Sequence, residues 1–354
     1  MKKPICFAVL ALIIFSLPYT SWVWSQEDVA SIDMDLNQDL SLDIELIETK
    51  VLEAGINKIH GSYYHKDSLW FLTRTDPTRV LKMDPQTLEY EMMILEGNNG
   101  ADLIGVESHI FVITGDYPSK IIKINVDNFT VEETIEIQGI NHGGSLAYAF
   151  DYLWAGGWDG KLAKINLTTS EYEIYDYPTW NQFHALEAGE EYLWGSCPVQ
   201  NPLIFIYPET TLFRINPADP LDYNSVTIRK IVTDDMVYHD GALYVGTENL
   251  IGESYIYKVF KNLTYIPATT KKATRCYGTF QDNSDSGTFW AAYTGSPGFI
   301  SKFDSELNLE GTYQLPEGFN DANEIVFDGN GYAYITCFSS PARVVKIQYN
   351  NASS

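Results

Sequence analysis

Residues 145–175 read SLAYAFDYLWAGGWDGKLAKINLTTSEYEIY, and four short strand patterns follow one another within them. Residues 145–150 form an apolar run suited to a buried strand, 152–155 a second and 161–166 a third, while 171–175 alternate as a half-exposed fourth. Gly156, Gly157, Asp159 and Gly160 punctuate the second connection, and 166–170 the last. The pattern predicts a four-stranded antiparallel meander.

The same pattern echoes along the chain. An aromatic in an apolar run recurs at Trp70, Phe111, Trp154, Trp194, Tyr244, Trp290 and Tyr334, each followed by a basic residue at Lys82, Lys123, Lys164, Arg214, Lys258, Lys302 and Lys346. Successive aromatics lie about 40 to 50 residues apart, the length of a propeller blade. The expected fold is all-β: a seven-bladed β-propeller of four-stranded antiparallel blades. The seventh repeat supplies three strands, at 322–327, 331–337 and 343–349, whereas 42–52 alternate as a strand before the first full blade. That N-terminal strand is expected to close the ring, because closure removes two open sheet edges. Helical periodicity is absent.

Residues 1–25 stand apart. Lys2 and Lys3 precede an apolar run from Ile5 to Leu17, and Val23 and Ser25 suit a cleavage site, so the segment reads as a signal peptide. An acidic linker, 26–41, then leads into the propeller at 42–350. The expected protein is extracellular or at the cell surface, a monomer, without stable membrane insertion. Its composition, 45% hydrophobic and 14% aromatic, is that of a globular chain. Loss of Lys2 and Lys3 would take the net charge from −24 to −26. Such a surface repels nucleic acid and anionic lipid.

Beyond Cys6 the chain holds Cys197, Cys276 and Cys337, an odd number that leaves at least one thiol unpaired. They read as small buried hydrophobes. Sequons at Asn128, Asn166, Asn262 and Asn351 suit a secreted glycoprotein where the host glycosylates. Asp33 to Asp39 imitates a calcium loop, but Gln38 stands where glycine is needed and Ile44 where a bidentate acid is needed. No P-loop, dinucleotide fingerprint, G-x-S-x-G elbow or paired C-x-x-C occurs.

The Leu-Trp or Leu-Tyr strand followed by Lys-Ile-Asn or Lys-Phe-Asp and a Thr- or Glu-rich turn resembles the seven-bladed propellers of the YVTN, NHL and streptogramin-lyase-like group. The resemblance spans almost all of the chain beyond the signal. It implies that ligands dock where the inner strands begin, and the lyases of that group use histidines and an acid there with magnesium. WD40 repeats fit less well, since a Trp-Asp pair closing a strand does not recur.

The segments that begin the inner strands are rich in ionisable groups: Ile59-His60-Gly61, Ala101-Asp102-Leu103, Asn141-His142-Gly143, Phe183-His184-Ala185, Asp234-Asp235-Met236, Arg275-Cys276-Tyr277 and Asn320 to Glu324. Imidazoles and carboxylates meeting there suit a ligand, a divalent metal or acid–base chemistry. The ligand-binding candidates are His60, Asp102, His142, Trp158, Trp180, His184, Asp235, Arg275 and Asn323. Candidate metal ligands are His60, His142, His184 and Glu324, and candidate catalytic residues are His142, His184 and Glu324. The bland alternative is that these polar groups satisfy backbone or channel water. The recurrent aromatics read as core and the basic residues as outer-strand positions, leaving Trp158, Trp180, Tyr117 and Tyr177 as exposed loop aromatics. His65, His109 and His239 read as exposed hairpin residues.

Blades four and five carry excursions at 198–212 and 217–225, where binding loops are expected. Two functions remain open. One is a recognition module for a protein, glycan or small molecule at the channel face. The other is a lyase or hydrolase assisted by a divalent metal ion.

Overall fold

The computed structural model describes residues 32–34, 41–199, 209–228, 231–248, 254–270, 276–281 and 287–349. The signal peptide, most of the linker, Arg275, Asn351 and most of the 198–212 excursion lie outside them. Seven four-stranded units follow in chain order, beginning with Ile59–His65, Ser68–Thr73, Arg79–Met83 and Tyr90–Ile94 in blade 1. Blade 3, read from the opening stretch, consists of Gly143–Ala149, Tyr152–Gly157, Lys161–Ile165 and Tyr172–Asp176. All pairing within the blades is antiparallel, and no helix occurs among the described residues.

Ile44–Val51 pairs antiparallel with Arg343–Tyr349 and supplies the outer strand of blade 7. The N-terminal strand therefore closes the ring as expected. Ahead of it in sequence, Ile32–Met34 lies parallel to the outer strand of blade 5, and Ser41 bridges Thr312 of blade 6. Part of the 217–225 excursion is regular structure. Asp219–Ile228 is the outermost strand of blade 4, a ten-residue partner of Glu209–Asn216.

The recurrent aromatics are core, each at 2% exposure or less. Each stands directly across the strand pair from its basic partner, from Trp70 opposite Lys82 to Tyr334 opposite Lys346. Five lysines lay their ammonium 5.3–5.8 Å from the centroid of the opposite ring. Such a contact lets a buried stem keep a charged head.

The heads then cross to the next blade, which the outer-strand reading did not foresee. Lys82 Nζ donates to Val126 O at 2.7 Å, Lys346 to Pro85 O at 2.7 Å, Lys258 to Ser305 O at 2.8 Å and Lys164 to Pro217 O at 2.9 Å. Arg214 donates to Lys261 O. Each acceptor lies just past the third strand of the next blade, on the face carrying the turns between third and fourth strands. Lys302 pairs instead with Glu310 of its own blade, at 2.8 Å. Its neighbour, blade 7, has no such turn, because its fourth strand comes from the N-terminal end of the ring. Lys123 sits 3.9 Å from Glu132 of its own blade.

Cys197, Cys276 and Cys337 are buried, as read. Burial pushes the Cys337 thiol up to about 12. No helix among the described residues is long and apolar enough to cross a membrane.

Candidate functional site

In a meander, the start of the first strand and the connection between the second and third share one face, so the mouth combines both segments from every blade. The inner strands are irregular there. Register shifts occur at Ile59/Gly61, Gly100/Asp102, Gly143/Ser145, Val232/Met236, Cys276/Gly278 and Ala322/Ile325. A bulge re-aims the side chains that follow it.

Several candidates are used up by joining neighbouring blades. Asn323 Nδ2 donates to Ile59 O at 3.0 Å, and His60 Nδ1 lies 3.0 Å from Ala101 O. Asp102 Oδ2 accepts from Leu146 N at 2.7 Å, and Glu324 Oε2 from Ser62 Oγ at 3.4 Å. Asn323 and Glu324 are 1% and 4% exposed, so they belong to the channel wall. Glu187, outside the sequence candidates, accepts from Tyr238 N at 3.2 Å. Burial, with the Asp235 charge adding to it, pushes Glu187 up to about 8. Glu187 and Asp235 share a channel cavity of about 300 Å³ with Tyr63, Phe280 and Phe327. No group of three or more His, Cys, Asp or Glu among the described residues is placed to hold a metal, so His60, His142, His184 and Glu324 do not form such a cage.

Two aromatics differ from expectation. Trp180 is 6% exposed and Tyr177 2%; they stack on each other at 4.5 Å, and Trp180 stacks on Phe213 at 4.3 Å. The 177–183 segment turns inward over blade 4, and its aromatics join that core. Trp180 is therefore a packing residue and not a rim contact. Two hairpin histidines are also partly buried: His65 Nε2 lies 2.9 Å from Glu107 O, and His109 Nε2 lies 2.8 Å from Glu132.

What remains is one patch drawn from blades 1 to 4. Trp158 lies at its centre, with the His142 ring at 4.2 Å, the His184 ring stacked at 6.3 Å and the Arg74 guanidinium at 5.4 Å from its rings. Tyr117, 73% exposed, forms the outer wall at 5.7 Å from His142. Gly144 permits the packing, since a Cβ there would sit 2.6 Å from Trp158 Nε1 and 2.4 Å from Phe183 O. The buried Trp158 Nε1 has no hydrogen-bond partner among the described residues.

The Arg74 guanidinium lies 2.9 Å from His60 Nε2. A guanidinium only donates and a carbonyl only accepts, so Nε2 presents its lone pair to Arg74 while Nδ1 carries hydrogen toward Ala101 O. That tautomer is neutral. Burial and the Arg74 charge lower the pKa of His142. Arg74 does not stand at the start of an inner strand but in the connection after Ser68–Thr73, and the sequence candidates drawn from such connections are aromatic. Its signal was a cation in the connection Arg74-Thr75-Asp76-Pro77 of an acid-rich chain.

No protein-family model matches the sequence, and a search of curated proteins returns no match. Solved structures do match. The Neurospora crassa Pan2 WD40 domain superposes with a TM-score of 0.65 at 10% identity, over 91% of this chain and 99% of that one. At that identity the likeness shows the fold alone.

Proposed function

We propose that this protein is a secreted recognition module of the YVTN/NHL-like kind that binds a peptide, glycan or small molecule at the mouth formed by blades 1 to 4. One observation carries the reading. Side chains from four blades, Arg74, Tyr117, His142, Trp158 and His184, converge in an aromatic and basic patch on a chain of net charge −24. Nothing in the packing of a propeller demands such convergence, since the blades are already joined by their strands, by the belt of basic side chains that cross to the next blade and by the channel wall. The leader-like residues 1–25 support export. An aromatic platform with a few fixed polar groups is the usual lining of a ligand site.

The test is an array of peptides, glycans and small molecules probed with the secreted protein and with Trp158→Ala. A reproducible ligand set lost in a Trp158→Ala protein of near-native thermal stability supports the reading. An identical set for both proteins places recognition elsewhere on the ring.

A further inference from the structure

Arg74 is half-buried, yet its side-chain contacts are the imidazole of His60 and the face of Trp158; it forms no ion pair with any described carboxylate. A partly desolvated guanidinium normally has a carboxylate beside it, and this chain has 47 Asp and Glu from which to supply one. Asp76, exposed in Arg74's own connection, forms no ion pair with it, and two further acids of this face are engaged elsewhere. Asp116 accepts from Asn98 N at 3.1 Å and Thr114 Oγ1 at 2.7 Å, and Asp159 accepts from Asn141 N at 3.1 Å. Lys58, exposed and 6.0 Å from the Phe338 ring, extends the cationic side of the patch toward blade 7. Neutral His60 accepts one guanidinium N–H and so fixes the plane of the fork without lending it negative charge.

We infer that the mouth is an oxyanion subsite: Arg74, oriented by His60 and backed by Trp158, takes the carboxylate or phosphoryl group of an anionic ligand whose flat body lies toward Tyr117 and His142. This inference rests on the recognition reading and deepens it by naming the ligand's charge. The other four guanidinium N–H groups suit bidentate pairing with two oxygens of one anion. Arg74 is the binding residue; His60 is a positioning residue.

Benzoate, phenyl phosphate and neutral benzamide, titrated into the full-length secreted protein by calorimetry, test it. At least one anion is expected to bind at least tenfold tighter than benzamide, and more weakly as sodium chloride is raised from 50 to 300 mM. The two anions separate a carboxylate from a phosphoryl preference. Arg74→Gln is expected to lose the preference with unchanged thermal stability. His60→Gln, which keeps an acceptor for Arg74, is expected to retain it, and His60→Leu to lose it.

Equal binding of anions and benzamide, absence of binding by all three, or an unaffected Arg74→Gln would overturn the inference. The array result with Trp158→Ala is independent of these probes. A ligand set lost in Trp158→Ala, together with no anion preference, would leave the recognition reading standing and remove this one.

Discussion

On the face carrying the turns between third and fourth strands, five blades repeat one contact: a basic side chain crosses an aromatic ring and ends on a backbone carbonyl of the next blade. On the opposite face, the patch around Trp158 is drawn from blades 1 to 4, and blade 7 adds Phe338 beside His60 and Lys58. Both faces are built from strands in the same order, so the backbone does not cause the difference. Contacts that join blades recur with the repeat at five of the seven junctions, whereas the contacts of the proposed site follow no repeat. Periodicity therefore marks the residues that hold the ring, and departures from it mark those free to do something else.

The largest effect should come from breaking the periodic side at its centre. Trp154, fully buried in blade 3, is expected to cost about 3–5 kcal/mol of unfolding free energy when changed to alanine, measured by denaturant titration. A loss below about 1 kcal/mol would mean that the aromatic is not core.

The comparison sharpens within the belt itself. Lys82→Met removes a charged donor from Val126 O and is expected to cost about 1.5–3 kcal/mol. Lys123→Met loses only a partly exposed ion pair at 3.9 Å and should cost below about 1 kcal/mol. Equal losses would show that the crossing to the next blade contributes nothing.

Much of this belt was legible in the sequence, because aromatic, basic residue and spacing are all written in side chains. The acceptors were not. Val126, Pro217, Lys261, Ser305 and Pro85 contribute only carbonyl oxygens, which every residue carries. The mouth was half legible: alignment of the inner strands found His60, His142 and His184, and the turn found Trp158. It could not tell that Asp102 and Asn323 face a neighbouring backbone and Glu324 the Ser62 hydroxyl, nor that the segment bearing Trp180 folds into a core. Those facts depend on the bulges and on chain direction after a loop, which strand periodicity does not encode.

A smaller, pH-dependent effect should separate the channel wall from both faces. Glu187 titrates near 8 in the folded protein, against about 4.5 unfolded, so the folded state binds more protons between those values. Its carboxyl therefore costs stability progressively as pH rises from about 4.5 to about 8. Glu187→Gln is expected to unfold at the same denaturant concentration as the parent near pH 4.5 and to be more stable by about 1–3 kcal/mol at pH 8.5. Parallel pH profiles for the two proteins would contradict that.

The smallest change should be the effect of Arg74→Gln on stability, within about 0.5 kcal/mol, since Arg74 joins no belt contact and forms no ion pair with a described residue. A larger loss would move Arg74 to the structural side of the comparison.

The division of labour between the faces is tested most directly by measuring melting temperature and array binding together for Lys82→Met and Trp158→Ala. Lys82→Met should melt several degrees lower and keep the parent's ligand set, while Trp158→Ala should remain folded at the assay temperature and lose that set. The account is contradicted if the folded Lys82→Met protein loses its ligands or if Trp158→Ala keeps them.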